Sequence, residues 1–319
     1  MEDIKETAEK MAFSIRAFWK TGDDKRDSGL VTPDTIERID DIPYGKEDKL
    51  QVLDIYRPKS MIGNNDKKLP VIVNVHGGGW VYGTKETYQF YCMSLAEKGF
   101  AVVNYSYRLS PEYKYPAQIE DEDLVFRWIY NNKDKYSLDV DNVFAVGDSA
   151  GGHLLAIYSS MLVNKEYAST VKFDLQKNIK LNAIGLNCGV YRLYKLSEEE
   201  KELDYKDSGV KQEGTDEENI LLYCFLDTVN DETKELLSPI LHINEKFPST
   251  ILMSCVGDFL KFDFYAMKRE LKSKGIEVVE DFRGTDEEPL AHVYHVDLRN
   301  AEGKKCNEAE INFFKKHIK

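Results

Sequence analysis

Hydrophobic and polar residues change their period several times along the 319-residue chain. Over residues 3–19 the apolar residues recur every three or four positions, which predicts a helix with one apolar stripe. Further on, short apolar runs alternate with helical patterns, and the run Leu69 to Val75 is typical of a strand buried on both faces. Such alternation predicts a mostly parallel sheet with helices on both faces, which is an α/β fold.

The pattern predicts eight strands and six principal helices. The strands are predicted over residues 35–42, 49–56, 69–75, 100–105, 143–146, 181–187, 249–256 and 276–282. The helices are predicted over residues 3–19, 87–98, 116–133, 149–164 and 263–274, with a terminal helix from Asn307. The first two strands are separated by a turn-like segment and are expected to form a hairpin that leads into the sheet.

The stripe on the first helix is expected to pack against another part of the protein. A helix lying on a membrane surface is the competing interpretation, but lysines and glutamates are mixed on the polar face, where a lipid-binding helix would be basic. The stripe consists of Ile4, Ala8, Met11, Ile15, Phe18 and Trp19.

The alternation breaks between Val190 and about Leu237, a charged and mainly helical stretch too long for an ordinary connection. A disordered acidic insert is one interpretation. The apolar patch Ile220 to Leu226 needs burial and favours a packed cap over the carboxyl edge of the sheet. We therefore predict a single domain over residues 1–319, with a helical cap formed by about 1–30 and about 190–237.

Composition and charge restrict the kinds of molecule that the protein is expected to bind and the compartment in which it is expected. The formal charge of −13 repels nucleic acid and anionic membranes, so neither is expected as a partner. The five cysteines are scattered without a C-x-x-C pair, which predicts neither disulfides nor a zinc site. Acidic residues at the N-terminus and the lack of a long apolar run speak against a signal peptide or membrane span and predict a cytoplasmic protein.

The segment Gly147 to Gly151 reads G-x-S-x-G between a strand pattern and a helix pattern. In that context the pattern predicts a sharp turn that exposes the hydroxyl of Ser149 as a nucleophile. Side chains at positions 147 and 151 would collide with neighbouring backbone, which accounts for both glycines. A glycine- and serine-rich connection without chemistry is the alternative for this motif alone.

A second glycine-rich segment, His76-Gly77-Gly78-Gly79-Trp80, directly follows a predicted buried strand. Three consecutive glycines are costly to order, so a folded protein retains them where backbone must approach another group, and exposed amides bind oxyanions. A plain glycine loop is the alternative. A phosphate-binding loop is excluded because no G-K-[ST] or G-x-G-x-x-G pattern follows.

Asp258 and His292 each follow a predicted strand, and functional side chains of open α/β sheets collect at that edge. The order serine, acid, histidine is that of α/β-hydrolases. Asp263 is a second acid that could compete for the role of Asp258. His292 is favoured over His295 because it lies nearer the preceding strand, where Pro289 disfavours a helix.

Taken together, the motifs resemble those of the hormone-sensitive-lipase-like esterases, an α/β-hydrolase family that includes bacterial acetyl esterases and carboxylesterases. The chain departs from the family at Phe259, where a proline usually follows the catalytic acid. The matching segments are His76–Trp80, Tyr107–Glu112, Tyr115–Asp121, Gly147–His153, Gly257–Leu260 and His292–Tyr294.

The resemblance implies a catalytic triad in which Ser149 attacks an ester carbonyl, His292 accepts its proton and Asp258 orients the imidazole. It requires no metal and no cofactor. The amides expected to bind the oxyanion are those of Gly77, Gly78 or Gly79 and of Ala150. Structural roles are expected for His76, His153 and Asp148.

The predicted function is hydrolysis of short-chain carboxylic esters, with a small-molecule ester as substrate. Trp80 and Tyr82 beside the glycines favour a closed pocket and acyl chains of about two to six carbons. A non-catalytic small-molecule binder on the same fold is the alternative, although the chain retains a candidate for each triad position. The candidate esters are acetylated sugars, small aliphatic esters and lactones, and both a monomer and a homo-oligomer are compatible with the sequence.

Overall fold

Eight strands form one mixed sheet in the computed structural model, which describes residues 2–47, 49–62, 68–212 and 219–319. The sheet order is β1-β2-β4-β3-β5-β6-β7-β8, and β1 and β2 pair antiparallel at one edge. From β4 to β8 all neighbours are parallel. The strands are β1 Ile36–Pro43, β2 Val52–Pro58, β3 Leu69–Val75, β4 Ala101–Tyr105, β5 Leu138–Asp148, β6 Leu181–Asn187, β7 Ser249–Cys255 and β8 Val278–Arg283.

Helices cover both faces of the sheet, which confirms the predicted α/β architecture. The α-helices are α1 Glu2–Asp27, α2 Lys85–Ala96, α3 Ala117–Asn132, α4 Ala150–Val163, α5 Lys165–Ala168, α6 Glu198–Ser208, α7 Leu222–Phe225, α8 Asp231–Leu236, α9 Lys261–Ser273 and α10 Ala301–Lys316. None of the described helices has both the length and the apolar composition needed to cross a bilayer.

Three element boundaries differ markedly from the prediction. Helix α1 continues to Asp27, beyond its predicted end at residue 19. Helix α10 begins at Ala301 rather than Asn307, because the side chain of Asn300 accepts hydrogen bonds from the amides of Glu302 and Gly303 and caps the helix. Strand β5 begins at Leu138, ahead of its apolar run, because a register shift lets Leu138 pair with Leu69 of β3.

The core lies where the sequence is most continuously apolar. Strand β3 is almost wholly buried, and β5 beside it carries buried residues from Val143 to Asp148. Helix α4 is buried along nearly its whole length, because it packs directly on the sheet behind the β5 turn. The carboxyl ends of the parallel strands therefore form one rigid edge that can carry reactive groups.

Helix α1 docks across this edge. Ala8 and Ala12 are buried, and the guanidinium of Arg16 donates to the carbonyl oxygens of Val81 and Ser110 at 2.7 and 2.8 Å. The predicted stripe is only partly buried, since Ile4, Met11 and Phe18 remain exposed. The predicted packing of the helix is therefore confirmed: it approaches the body of the protein through its small alanines, while these three larger side chains of the stripe stay exposed.

The apolar patch at residues 220–226 is held against the same region. Leu222, Cys224 and Phe225 are buried, and Lys114 donates to two carbonyl oxygens of this segment. Helices α6 and α8 flank it, and residues 213–218 of the predicted cap lie outside the described residues.

Candidate active site

Ser149 lies in a strained turn between β5 and α4. Its backbone has φ 51° and ψ −121°, a conformation that is costly for a residue with a side chain. Its amide donates to the carbonyl oxygen of Asn187 on β6 at 2.9 Å. A methyl group on Gly147 would lie 2.6 Å from the carbonyl oxygen of Gly151, and one on Gly151 would collide with the carbonyl oxygen of Val75. The two glycines thus allow the close approach that the turn requires.

Asp258 and His292 are joined by a hydrogen bond of 2.8 Å between Oδ1 and Nδ1. Asp258 is buried and also accepts from the hydroxyl of Ser254 and the amide of Leu260. Burial alone would raise the pKa of Asp258, but the hydrogen bond and charge of His292 and the two further donors outweigh it and hold that pKa below its ordinary value.

This pair sets the tautomer of the histidine. A charged carboxylate only accepts hydrogen bonds, so Nδ1 of His292 carries the proton and Nε2 keeps its lone pair. His292 and Ser149 line the same cavity. Among the described residues no hydrogen bond joins their side chains, and such contacts are often long before substrate binds.

The two competing candidates make other contacts. Asp263 accepts from the amides of Tyr191 and Arg192 and pairs with Nε of Arg192 at 2.7 Å. His295 is buried in a T-shaped contact with the ring of Tyr91, and burial lowers its pKa to about 3. The structure therefore pairs Asp258, and not Asp263, with His292.

The glycine-rich loop is tied to the serine turn through one tyrosine. The hydroxyl of Tyr88 accepts from the amide of Gly77 at 3.1 Å and donates to Oδ2 of Asp148 at 2.6 Å. Burial raises the pKa of Asp148 to about 6, although the hydrogen bond from Tyr88 acts to lower it. We call the group Gly77, Tyr88 and Asp148 the tyrosine clamp. Asp148 is thus structural, as predicted.

The clamp leaves other amides for an oxyanion. Gly78 and Gly79 have φ +122° and +57°, and a side chain on Gly78 would collide with the carbonyl oxygen of Tyr82. In the described part of the chain, the amides of Gly78, Gly79 and Ala150 have no acceptor. Of the predicted oxyanion donors, Gly77 is therefore occupied in this structure and these three amides are free.

Trp80 and Tyr82 hold the loop in place while lining the cavity. The buried indole of Trp80 donates to Nδ1 of His153 at 3.2 Å and stacks on Phe225 at 4.8 Å between ring centroids. Nε2 of His153 donates to the carbonyl oxygen of Leu237 at 2.7 Å, and burial lowers its pKa to about 4. The hydroxyl of Tyr82 donates to Asp23 of α1 at 2.6 Å.

His76 supports the start of the loop. Its ring stacks on Tyr107 at 4.0 Å, its Nδ1 lies 2.8 Å from the carbonyl oxygen of Gly77, and burial lowers its pKa to about 4. This histidine is therefore neutral at physiological pH, and it is structural as predicted.

The cavity that contains Ser149 and His292 has a volume of about 1470 Å³. Ligand pockets typically enclose ~300–1,000 Å³, so this cavity is larger than is usual for a single small ligand. One wall is α1, and the others come from the loop after β3, from residues 190–196 and 219–222, and from the segment after β7.

The described residues contain one group with metal-ligand spacing, Cys188, Asp258 and His292, whose candidate ligand atoms lie within 4.8 Å of one another. Two of these already form the acid–histidine pair. A hydrogen bond with Cys255 and burial raise the pKa of the Cys188 thiol well above its ordinary value. A protonated thiol is a poor metal ligand, so the arrangement suits proton transfer rather than metal binding.

Comparison with known protein families shows which family has both this fold and these motifs. The BD-FAE family model matches residues 53–260, more than half of the chain. The chain belongs to the BD-FAE family. This places it among the hormone-sensitive-lipase-like α/β-hydrolases and confirms the resemblance seen in the motifs. The matched range contains Ser149 and Asp258, and His292 lies beyond it.

Relatives of this BD-FAE chain include proteins named as esterases. Versiconal hemiacetal acetate esterase of Dothistroma septosporum is 31% identical over 220 residues, which cover 67% of this chain and 64% of the relative. The matched part of this chain also spans less than two thirds of the length of the next two relatives.

Solved structures show the same fold at lower identity. Esterase B of Lactobacillus rhamnosis has a TM-score of 0.82 and 22% identity, covering 99% of this chain and 96% of that one. The same esterase inhibited by a C4-C4 SN3 tributyrin phosphonate has a TM-score of 0.80, 22% identity and coverage of 98% and 96%.

Two contributors to this BD-FAE site were not predicted as site residues. Tyr88 lies on α2 within an ordinary amphipathic pattern, and nothing in its surroundings in the sequence signals its contact with residues 77 and 148. Phe259 stood out only as a departure from the family. In the structure its ring lies 4.5 Å from that of His292.

Proposed function

We propose that this protein is a serine esterase that hydrolyses carboxylic esters through an acyl-enzyme intermediate. The observation that carries the proposal is the position of Ser149 on a strained turn, in one cavity with His292, which is oriented by a buried carboxylate. The free amides of Gly78, Gly79 and Ala150 border the same cavity. Esterase names among the relatives support the same activity.

The residues supply each step of the reaction. Nε2 of His292 accepts the proton of Ser149 as Oγ bonds to the carbonyl carbon, and the free amides stabilise the oxygen that becomes negative. Asp258 stabilises the imidazolium. The carbon–oxygen bond to the alcohol then breaks, and His292 returns the proton to the leaving oxygen. Water repeats the sequence and releases the acid.

Short acyl groups are the proposed substrates. The side chain of Leu221 approaches to within 2.9 Å, and the ring of Trp19 to within 3.6 Å, of the point where a Cβ of Gly79 would lie. These two residues cover the loop next to the reacting carbonyl and restrict the space there. Two relatives support short chains by their names, which specify an acetate ester and a tributyrin analogue.

We expect kcat/KM for p-nitrophenyl esters to be highest at about two to six acyl carbons and to fall by at least about tenfold at twelve. Rates over a series of acyl lengths at submicellar concentrations measure this. Greater efficiency on long-chain triglyceride emulsions than on acetate or butyrate esters would contradict the preference. Absence of hydrolysis of every ester by folded protein would instead favour the non-catalytic binder.

The role of the tyrosine clamp can be tested by replacing Tyr88. Tyr88→Phe removes the hydroxyl that joins Gly77 to Asp148, so the oxyanion loop is held less firmly against the serine turn. We expect kcat to fall about tenfold to a hundredfold with little change in KM, because the loss affects the transition state. Steady-state kinetics with p-nitrophenyl butyrate measure it.

Tyr91→Phe is the matched control. Tyr91 lies on the same helix, is equally buried and donates to a buried carboxylate, Glu310, at 2.7 Å, but it does not contact the loop. Both variants lose a comparable buried hydrogen bond, worth about 1–3 kcal/mol of unfolding free energy. Equal losses of kcat in the two would show that the clamp does not position the loop.

We also propose a cytoplasmic location. All five cysteines are free and buried, which is compatible with a reducing compartment.

A further inference from the structure

Phe259 occupies an unusual place for a phenylalanine. Its side chain is 71% exposed although it belongs to a large apolar residue, and it lines the cavity. Its ring lies against the imidazole of His292, with 4.5 Å between the ring centroids and 44° between the planes. An exposed aromatic ring beside a reactive group indicates a contact surface for a ligand.

The backbone that presents this ring is fixed. The amide of Leu260, the next residue, donates to Oδ1 of Asp258 at 2.9 Å, the same oxygen that binds His292. The amide of Lys261 donates to the carbonyl oxygen of Asp258 at 3.2 Å. The ring of Phe259 is therefore positioned by the residue that positions the histidine.

The chemistry identifies which part of an ester meets this ring. In the proposed reaction His292 must protonate the oxygen of the leaving alcohol, so that oxygen lies next to the imidazole. The remainder of the alcohol continues from that oxygen into the cavity. A ring that packs on the imidazole and faces the cavity therefore borders the path of the alcohol, not that of the acyl chain.

A second exposed ring lines the same cavity from α1. Phe18 is 77% exposed, and the helix that carries it is anchored by Arg16 to the loop after β3 and to Glu112. Met11, which lies on the same helix, is also exposed and lines the cavity. The wall of α1 thus offers apolar contact area that the described residues leave exposed.

We propose that Phe259 and Phe18 form an alcohol subsite that selects esters whose alcohol is apolar and at least as large as a benzyl group. The inference rests on the proposed esterase function and deepens it. Combined with the short acyl group proposed above, it names the substrate class as short-chain esters of bulky apolar alcohols. The volume of about 1470 Å³, far larger than a short acyl group needs, is consistent with this division.

The test compares benzyl butyrate with methyl butyrate, which share the acyl group and have leaving alcohols of similar acidity. We expect wild-type kcat/KM to be at least about tenfold higher for the benzyl ester, as contact with aromatic rings and burial of apolar area predict. In Phe259→Ala, kcat/KM for the benzyl ester should fall about tenfold more than kcat/KM for the methyl ester.

The chain offers a matched control for the second ring. Phe13 lies on α1 and is 56% exposed, but it does not line the cavity. Phe18→Ala should lower the benzyl preference by about threefold to tenfold, and Phe13→Ala should leave it unchanged. Thermal unfolding of each variant confirms that the comparison concerns folded protein.

The outcomes separate this inference from the function on which it rests. Equal losses on both esters in Phe259→Ala would overturn the subsite and indicate a role in holding His292. A wild-type preference for methyl butyrate, or identical effects of Phe18→Ala and Phe13→Ala, would also overturn it. Hydrolysis of both esters without a benzyl preference would overturn the subsite but leave the esterase proposal intact. Hydrolysis of neither ester would contradict the esterase proposal itself.

Discussion

Ser149→Ala should lower kcat for p-nitrophenyl butyrate by at least about 10⁴-fold, because it removes the hydroxyl that forms the acyl-enzyme. The backbone of the turn should persist, since it depends on Gly147, Gly151 and the bond to Asn187 rather than on the hydroxyl. Initial rates, measured with enough enzyme to detect residual turnover, give the ratio.

Ser159→Ala controls for the loss of a serine hydroxyl from the same region. Ser159 is buried on α4, and its hydroxyl has no hydrogen-bond partner among the described residues. Circular dichroism and thermal unfolding should be near wild type for both variants, and activity should be retained only in Ser159→Ala. Turnover by Ser149→Ala within a few fold of wild type would rule out the assigned nucleophile.

Replacement of the two neighbouring histidines gives the second large effect. His292→Ala should lower kcat by about 10⁴-fold or more, because it removes the base that is bonded to Asp258. His295→Ala should keep kcat within about tenfold of wild type, since His295 is buried and directed at Tyr91. Kinetics of the folded fraction of each variant measure both effects.

His295→Ala leaves a cavity in the core and is expected to lower the unfolding temperature, so the folded fraction must be determined before rates are compared. A loss of several orders of magnitude in His295→Ala, with His292→Ala near wild type, would reverse the assignment. Modest and comparable losses in both would contradict the triad as a whole.

The sequence pattern predicted the features that are determined by residues close together in the chain. Strand β3 was predicted at its observed bounds, since a continuous apolar run between polar flanks permits few other arrangements. The turn at Ser149 was predicted because a collision with Val75 and Gly151 forces glycine at two nearby positions. The acid–histidine pair followed from the edge at which parallel strands end.

Features that depend on contacts between distant residues could not be read in this way. Tyr88 and Asp148 are separated by 60 positions, yet the Tyr88 hydroxyl donates to Asp148 and accepts from the amide of Gly77, which leaves the amides of Gly78 and Gly79 for other acceptors. The exposure of Phe18 depends on how closely Ala8 and Ala12 approach the body of the protein, which periodicity alone does not specify. Periodicity identifies an apolar face but not the depth to which it is buried.

The attachment of α1 has a consequence for how such an enzyme changes in evolution. The helix is joined to the sheet by residues 28–35 and held over the cavity by side chains such as Arg16, while Ser149, Asp258 and His292 belong to the sheet edge. Part of the surface that contacts the ester therefore lies on an element separate from the catalytic residues. Variation confined to the cavity-facing side of α1 can diversify the range of accepted esters without disturbing the core, which makes this helix the natural place for directed evolution.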